Sequence, residues 1–256
     1  MMVDTNPRPI IEISGLQKSF GDHKVLTGIN LSVPAGNTCV ILGGSGSGKT
    51  VLMKHMIGLL KPDSGSVIID GEDLVPMGPE DLERMRHKFG MVFQAAALFD
   101  SMNVYDNVAF PLREHRKDMS EADIRELVRE KLDLMGLPRS AEDKFPADLS
   151  GGMRKRVGLA RAIVMNPKIV LYDEPTTGLD PITTDYVDEM ILAAQRELGI
   201  TSVVISHDIA SAFNIADQIA FLSKGIILEQ GPPEVVRASK HPAVEIFLQT
   251  WFGKND

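Results

Sequence analysis

"GGSGSGKT", Gly43 to Thr50, matches the pattern G-x-x-x-x-G-K-[ST] and lies between an apolar run ending at Leu42 and a stretch, Lys49–Leu60, that reads as a helix. Glycines let such a loop turn successive backbone N–H groups inward. Gly43, Gly44, Ser45, Gly46, Ser47 and Gly48 would then form a cradle for phosphate oxygens. Lys49 adds a point charge to that cradle and Thr50 a hydroxyl for Mg2+. An ordinary Gly/Ser-rich turn needs neither a strand before it nor Lys and Thr at its close, which favours the phosphate-loop reading.

A second stretch, "IVLYDEP", runs four apolar residues into Asp173 and Glu174. Beside a phosphate loop, an aspartate in this setting holds the metal, and the next carboxylate can polarise a water for attack on the terminal phosphate. Two polar residues close other strand-like runs: Gln94 after Phe89–Phe93 and His207 after Thr201–Ser206. Parallel sheets put ligands at the carboxyl ends of their strands. There an amide at Gln94 can bridge metal and water, and an imidazole at His207 can hydrogen-bond a phosphate. Singly, each reads more readily as a satisfied polar residue at a strand end; in combination they favour the functional reading. His23, His55, His87, His115 and His241 have no such setting, and their spacing offers no metal site.

The chain has 256 residues, 43% hydrophobic and 24% charged, enough for one large globular domain or a core with a smaller inserted lobe. A formal charge of −8 argues against a broad nucleic-acid surface, because such binding neutralises many phosphates with Lys and Arg. No run of apolar residues is long enough to span a bilayer. The opening MMVDTNPRPI lacks the apolar core of a secretory signal, and Cys39 is the only cysteine, so the expected compartment is the cytoplasm.

Short β-branched runs alternate with helical stretches, the signature of a parallel sheet with crossover helices. Expected strands are Ile10–Ile13, Leu31–Val33, Thr38–Leu42, Ser66–Ile69, Phe89–Phe93, Lys168–Leu171, Thr201–Ile205 and Gln218–Leu222; helices should follow Gly48, Asp180 and His207. After Phe93 the periodicity turns helical. Ile124, Leu127, Val128, Lys131, Leu132 and Met135 fall on one stripe, read as packing core. The expected division is therefore residues 1–94 as the first part of a nucleotide-binding core, 95–165 as an inserted helical subdomain, 166–231 as the second part of the core, and 232–256 as C-terminal helices.

"LSGGMRKRVGLARAI", residues 149–163, poses a separate problem, because Arg154, Lys155 and Arg156 crowd the first turns of a helix whose dipole is already positive there. Either they form a solvated basic face or the helix end awaits an anion. With the phosphate loop, "YDEP", Gln94 and His207, this stretch makes the sequence resemble the ATP-binding cassette (ABC) ATPases over about Ile10 to Gly231. The resemblance implies an α/β P-loop NTPase (RecA-like) core with a mixed sheet, an antiparallel N-terminal β subdomain and the inserted helical subdomain. It implies ATP and Mg2+ as cofactors, with Thr50, Gln94 and Asp173 at the metal and Glu174, His207, Gln94 and Lys49 in catalysis. Phe20 would stack on adenine. Ser150, Gly151 and Gly152 would contact the γ-phosphate held by a second copy, and Asp180 would cross that homodimer interface. A Lys about 4 Å from a phosphate is attracted by roughly 4 kcal/mol at an effective dielectric of 20. A helix terminus contributes about 0.3–2 kcal/mol. The loop holds the nucleotide and the partner's helix senses it. Met153, Phe20 and Gly178 stand where the family often has Gln, Tyr and Ala.

Within the family, "ALFDSMNVYDNVAFPLREH", Ala97–His115, with "DEPTTGLDPI", resembles the ATPase subunits of the Mla/Mce phospholipid transporters. That implies a peripheral position on the cytoplasmic face of the inner membrane, transmembrane permease subunits, a lipid-binding Mce-type component and a small regulatory subunit. Importers of polar amino acids carry related segments. A soluble ABC ATPase acting on nucleic acid would instead bring tandem cassettes or long coiled coils. Leu98, Phe99, Met102, Val104 and Tyr105 read either as an apolar surface that cradles a permease helix or as packing of the lobe. Val244, Phe247, Leu248, Trp251 and Phe252 read as core, with a partner surface as the alternative.

Overall fold

The computed structural model describes residues 9–252. In chain order the elements are β1 (Pro9–Phe20), β2 (His23–Pro34), β3 (Thr38–Leu42), α1 (Lys49–Met56), β4 (Ser64–Ile69), β5 (Glu72–Asp73), α2 (Pro79–Arg86) and β6 (Phe89–Val92). There follow α3 (Val104–His115), α4 (Glu121–Leu134), α5 (Gly151–Ile163), β7 (Ile169–Asp173), α6 (Pro181–Leu198), β8 (Thr201–Ser206) and α7 (Ile209–Ile215). The chain closes with β9 (Gln218–Ser223), β10 (Ile226–Gly231), α8 (Pro233–Arg237) and α9 (Pro242–Phe252).

Two sheets form: an antiparallel one in the order β2-β1-β4-β5, and a six-stranded one in the order β10-β9-β3-β8-β7-β6, parallel except for β10. The central strands read as unbroken apolar runs because both of their faces are covered. Alternate residues divide between two cores. Val40, Leu42, Val170, Tyr172 and Val204 face α3 to α7 and α9. Cys39, Ile41, Ile169, Leu171, Val203 and Ile205 face the antiparallel sheet with α1 and α2. Truncating one of these, as in Ile41→Ala, would cost about 2–5 kcal/mol.

The pairing order decides where the chemistry collects. Leu42 pairs with Ser206, Ile205 with Asp173, and Tyr172 with Val92, so four neighbouring strands end at one level. From that edge emerge the phosphate loop, His207, Glu174 and Gln94.

Several elements differ from the sequence reading. β1 and β2 are twelve residues each, longer than expected, because register shifts around Gly15 break the alternation that would reveal them. Gly15 sits at φ +57°, and its N–H donates to Asn30 Oδ1 at 2.9 Å. α1 stops at Met56 rather than Leu60: Gly58 turns left-handed at φ +63°, and Arg86 donates to the carbonyls of Ile57 (3.2 Å) and Gly58 (2.9 Å). β5 and β10 carry no apolar alternation and were not expected. Val104 and Tyr105 are 1% and 7% exposed, so they belong to the core; Phe99, 41% exposed, remains at the surface.

α4 follows its pattern closely. Ser120 caps it in a reciprocal capping box with Asp123, and Ile124, Val128, Lys131 and Leu132 are buried. Val244 and Leu248 of α9 are core residues, and the Phe247 ring packs on Phe221 at 5.0 Å. The side chains of Trp251 and Phe252 lie outside the described residues.

Candidate functional site

Gly43 follows β3 with no room for a side chain, since a Cβ would strike the Leu222 carbonyl oxygen. Gly46 and Gly48 take φ +74° and +107°, values that favour glycine, and Gly48 caps α1. The loop thus curls over the N-terminus of α1, where free N–H groups and the helix dipole favour an anion. Ser47 Oγ is buried and without a partner there.

Lys49 Nζ donates to the carbonyls of Gly43 (2.8 Å) and Gly44 (3.1 Å) and stands 3.9 Å from Glu174 Oε1. Burial holds its ammonium below the usual lysine value, with Glu174 and Asp173 pulling it back up. Asp173 ends β7, and there burial, then the Glu174 charge, push its carboxyl up against the pull of Lys49. Glu174 adopts φ +52°, a strained conformation for a non-glycine residue, and its N–H donates to the Ile205 carbonyl at 2.9 Å. Its Oε2 is 2.5 Å from His207 Nδ1 and accepts from Thr177 Oγ1 at 3.0 Å.

A cavity of about 570 Å3 opens on Lys49 and Glu174, lined by Val25, Ser45, Gly46, Ser47, Gly48, Lys49, Thr50, Val51, Gln94, Glu174, Thr177 and His207. Thr177 escaped the sequence reading, since a Thr in "PTTGLD" carries no spacing signal; only the turn after β7 aims it at Glu174. The Thr50 hydroxyl and the Gln94 amide line the cavity, and the Asp173 carboxylate at the end of β7 would complete a hard oxygen set. No cluster of three His, Cys, Asp or Glu suited to a metal occurs among the described residues. Such a set fits Mg2+ held mainly through phosphate oxygens rather than a protein cage.

Of the residues the sequence pointed to, Phe20, Gly43, Gly44, Ser150, Gly151, Gly152, Asp173 and Asp180 do not line this cavity, although Asp173 directly precedes Glu174 at the end of β7. Phe20 is 48% exposed at the end of β1. Ser150 caps α5, accepting from Met153 N–H at 3.2 Å. Asp180 caps α6, accepting from the N–H (3.0 Å) and hydroxyl (2.6 Å) of Thr183, and these bonds hold its carboxyl below the usual range. A Cβ on Gly152 would meet Thr183 Cγ2 at 3.1 Å. The two helix N-termini therefore sit side by side, outside the lining of the cavity.

The three basic residues of α5 all donate to backbone carbonyls, with Lys155 buried and Arg154 and Arg156 half-buried. Arg154 donates to the carbonyls of Leu149 (2.5 Å) and Pro146 (3.5 Å), and Arg156 to that of Gly136 (3.2 Å) while stacking on Tyr186. Lys155 is buried and donates to the Pro175 carbonyl at 2.6 Å.

A second cavity, of about 490 Å3, opens beyond Gln94 and is lined among others by Phe93, Ala97, Phe99, Phe110, His87, His115 and Arg161. Phe99 packs on Phe110 at 4.9 Å, and Asn107 pins its backbone. No helix among the described residues is long and apolar enough to cross a membrane.

Comparison with known proteins agrees with this geometry. The family model described as "ABC transporter" matches residues 26–177. A Mycobacterium tuberculosis (strain ATCC 25618 / H37Rv) protein named "Probable ribonucleotide transport ATP-binding protein mkl" is 47% identical over 238 residues, covering 93% of this chain and 66% of the relative. The chain thus spans just under two thirds of that relative's length. The "Intermembrane phospholipid transport system ATP-binding protein MlaF" of Escherichia coli (strain K12) is 38% identical over 239 residues, covering 93% of this chain and 88% of the relative. Among solved structures, the dimeric post-hydrolysis state of the ATP-binding cassette MJ0796 bound to ADP and Pi superposes with TM-score 0.78 at 31% identity, covering 87% and 98% of the two chains. By its strand order, its phosphate loop and these likenesses, the chain belongs to the ABC transporter family, as an ABC ATPase domain.

Proposed function

We propose that this chain is the motor of a lipid transporter: two copies close on two ATP molecules, hydrolyse them and reopen, and that cycle drives a membrane partner. The observation that carries the reading is the common level at which β3, β8, β7 and β6 end, bringing Lys49, Thr50, His207, Glu174 and Gln94 around one cavity. In the proposed site the loop N–H groups and Lys49 bind the phosphates. Thr50, Gln94 and Asp173 would hold Mg2+, which supplies charge neutralisation on the phosphate oxygens. Glu174 takes the proton of the attacking water, and His207 and Thr177 hold its carboxylate in place.

Ser150, Gly151, Gly152 and Asp180 do not line the cavity of their own chain, which supports a role on the partner copy's γ-phosphate. Hydrolysis removes the group they read, and the dimer loosens. In this reading Phe20, exposed at the end of β1, stacks on the adenine. A short apolar helix of a permease fits the cleft beside Phe93 and Phe99, one loop away from Gln94. The chain would then sit at the cytoplasmic face of the inner membrane, with an Mce-type lipid-binding component and a small regulatory subunit in the same complex.

Phospholipid cargo is favoured by the likeness to MlaF and by the Ala97–His115 segment. Ribonucleotide cargo is the second reading, favoured by the printed name of the mycobacterial relative. The test uses Glu174→Gln in the full chain: phosphate release should stop and an ATP-held dimer should accumulate on size-exclusion chromatography with light scattering. Unchanged turnover, or a variant that stays monomeric with ATP, overturns the mechanism. Extraction of the purified membrane complex then separates the cargoes, by bound phospholipid or bound nucleotide.

A further inference from the structure

Lys155 is the one residue of the basic trio on α5 that is buried, at 8% exposure, with its ammonium on a neutral partner. Among the described residues, its one hydrogen bond goes to the carbonyl of Pro175 at 2.6 Å. Burial alone holds its pKa below the lysine value, with no carboxylate compensating. A desolvated ammonium spending itself on a backbone carbonyl is expensive to keep, so its position calls for a reason.

Both ends of the bond supply one. Pro175 directly follows Glu174, whose left-handed φ of +52° is sustained only by its surroundings. Among those surroundings are the Glu174 N–H bond to Ile205 and the carboxylate contacts to His207 and Thr177. Lys155 stands at the other end, a little over one turn along α5 from Ser150. Both belong to one continuous capped helix, and its first turn passes close to α6, where a Cβ added to Gly152 would meet Thr183 Cγ2 at 3.1 Å. A push on the Ser150 end therefore reaches Lys155 as a movement of the whole helix.

We infer that the Lys155 to Pro175 hydrogen bond is the intrachain link between the two ATP sites of a dimer, with Lys155 a positioning residue for Glu174. The inference rests on the proposed reading of Ser150 as the sensor of the partner copy's γ-phosphate. One copy contributes Glu174 to its own site and Ser150 to the other. When the partner's ATP draws the α5 terminus in, Lys155 carries Pro175 with it and sets Glu174 over its own nucleotide. The two-state element is the closed and open dimer, which both nucleotides bias.

The test compares Lys155→Met and Lys155→Arg in the full chain, reading ATPase rate against ATP concentration and, separately, binding of a fluorescent ATP analogue to the monomer. The wild-type rate should rise with a Hill coefficient above one. Lys155→Met should bring it to about one and lower kcat roughly ten- to a hundredfold, the scale of a misplacement near 1 Å, with analogue affinity unchanged. Lys155→Arg, which keeps a cationic donor, should restore cooperativity and most of kcat. A wild-type Hill coefficient of one, a Lys155→Met enzyme that keeps its cooperativity at any rate, or a Lys155→Arg enzyme without it each overturns the link. Where Lys155→Met does not fold, the arginine variant alone decides. Dimerisation of the Glu174→Gln chain reports on the underlying dimer reading independently of all these outcomes.

Discussion

His207 Nδ1 stands 2.5 Å from Oε2 of Glu174, the oxygen that also accepts from Thr177 at 3.0 Å, while Oε1 of the same carboxylate lies 3.9 Å from Lys49. Both carboxylate oxygens are thus oriented, one by His207 and Thr177 and one by the Lys49 charge. His207→Ala should lower kcat by about 10²-fold, the scale of losing one oriented polar group at the reacting centre. KM should change little, because the loss falls on the transition state. Phosphate release at saturating ATP checks this, and wild-type kcat in the variant would remove His207 from the mechanism.

Lys49 is held at the cavity wall by the carbonyls of Gly43 and Gly44, which phosphate oxygens would replace as acceptors. Lys49→Ala should therefore abolish both nucleotide binding and turnover, unlike the His207 change. Equilibrium binding of labelled ATP separates the two. A Lys49→Ala chain that binds ATP as the wild type does would refute the phosphate assignment.

Asp188 on α6 is 5% exposed and accepts from Ser211 Oγ on α7 at 2.6 Å, while its Oδ2 has no partner among the described residues. Burial raises its pKa to about 6, with Asp208, Asp185 and Glu189 adding to the rise and Ser211 opposing it. The folded state therefore binds the proton more tightly than the unfolded chain between the ordinary aspartate pKa and about 6. Stability must fall as pH rises through that window and stay lower above it. Asp188→Asn keeps an acceptor for Ser211 and removes the charge. Its melting temperature should exceed that of the wild type at pH 7.5, and the gap should close towards pH 5.

Asn107 is fully buried: its Oδ1 accepts from Phe99 N–H at 2.8 Å, and the two hydrogens of its Nδ2 are shared among the carbonyls of Phe99, Met102 and Asn103 at 3.0–3.1 Å. It holds the loop that carries Phe99 to the apolar cleft. Asn107→Ala should lower stability by about 1–3 kcal/mol, the cost of orphaning a buried polar group. In urea the midpoint should drop at constant slope. Nucleotide binding should persist, since the phosphate loop is built elsewhere, while stimulation of ATPase by the membrane partner should be lost.

Local chemistry made part of this protein readable from the chain alone. The phosphate loop is eight consecutive residues whose glycines, lysine and threonine act through their own backbone and side chains, so its order is its geometry. The same holds for the capped helices after Ser120, Ser150 and Asp180, where the cap bonds an N–H three residues on. Central strands showed as apolar runs because burial on both faces demands it. Tertiary packing decided the rest. Strand order put Gln94, Glu174 and His207 on one cavity, and the turn after β7 added Thr177. Bulges at Gly15 hid most of β1 and β2 from any alternation. Val104 and Tyr105 look like Phe99 in sequence, yet α3 turns them into the core and leaves Phe99 out. Lys155 has the composition of a surface residue, and only the approach of α5 to the end of β7 gives its ammonium a carbonyl and takes away its water. Short-range rules act between neighbours in the chain; which distant groups share a low-dielectric space is settled only when the helices and sheets have packed.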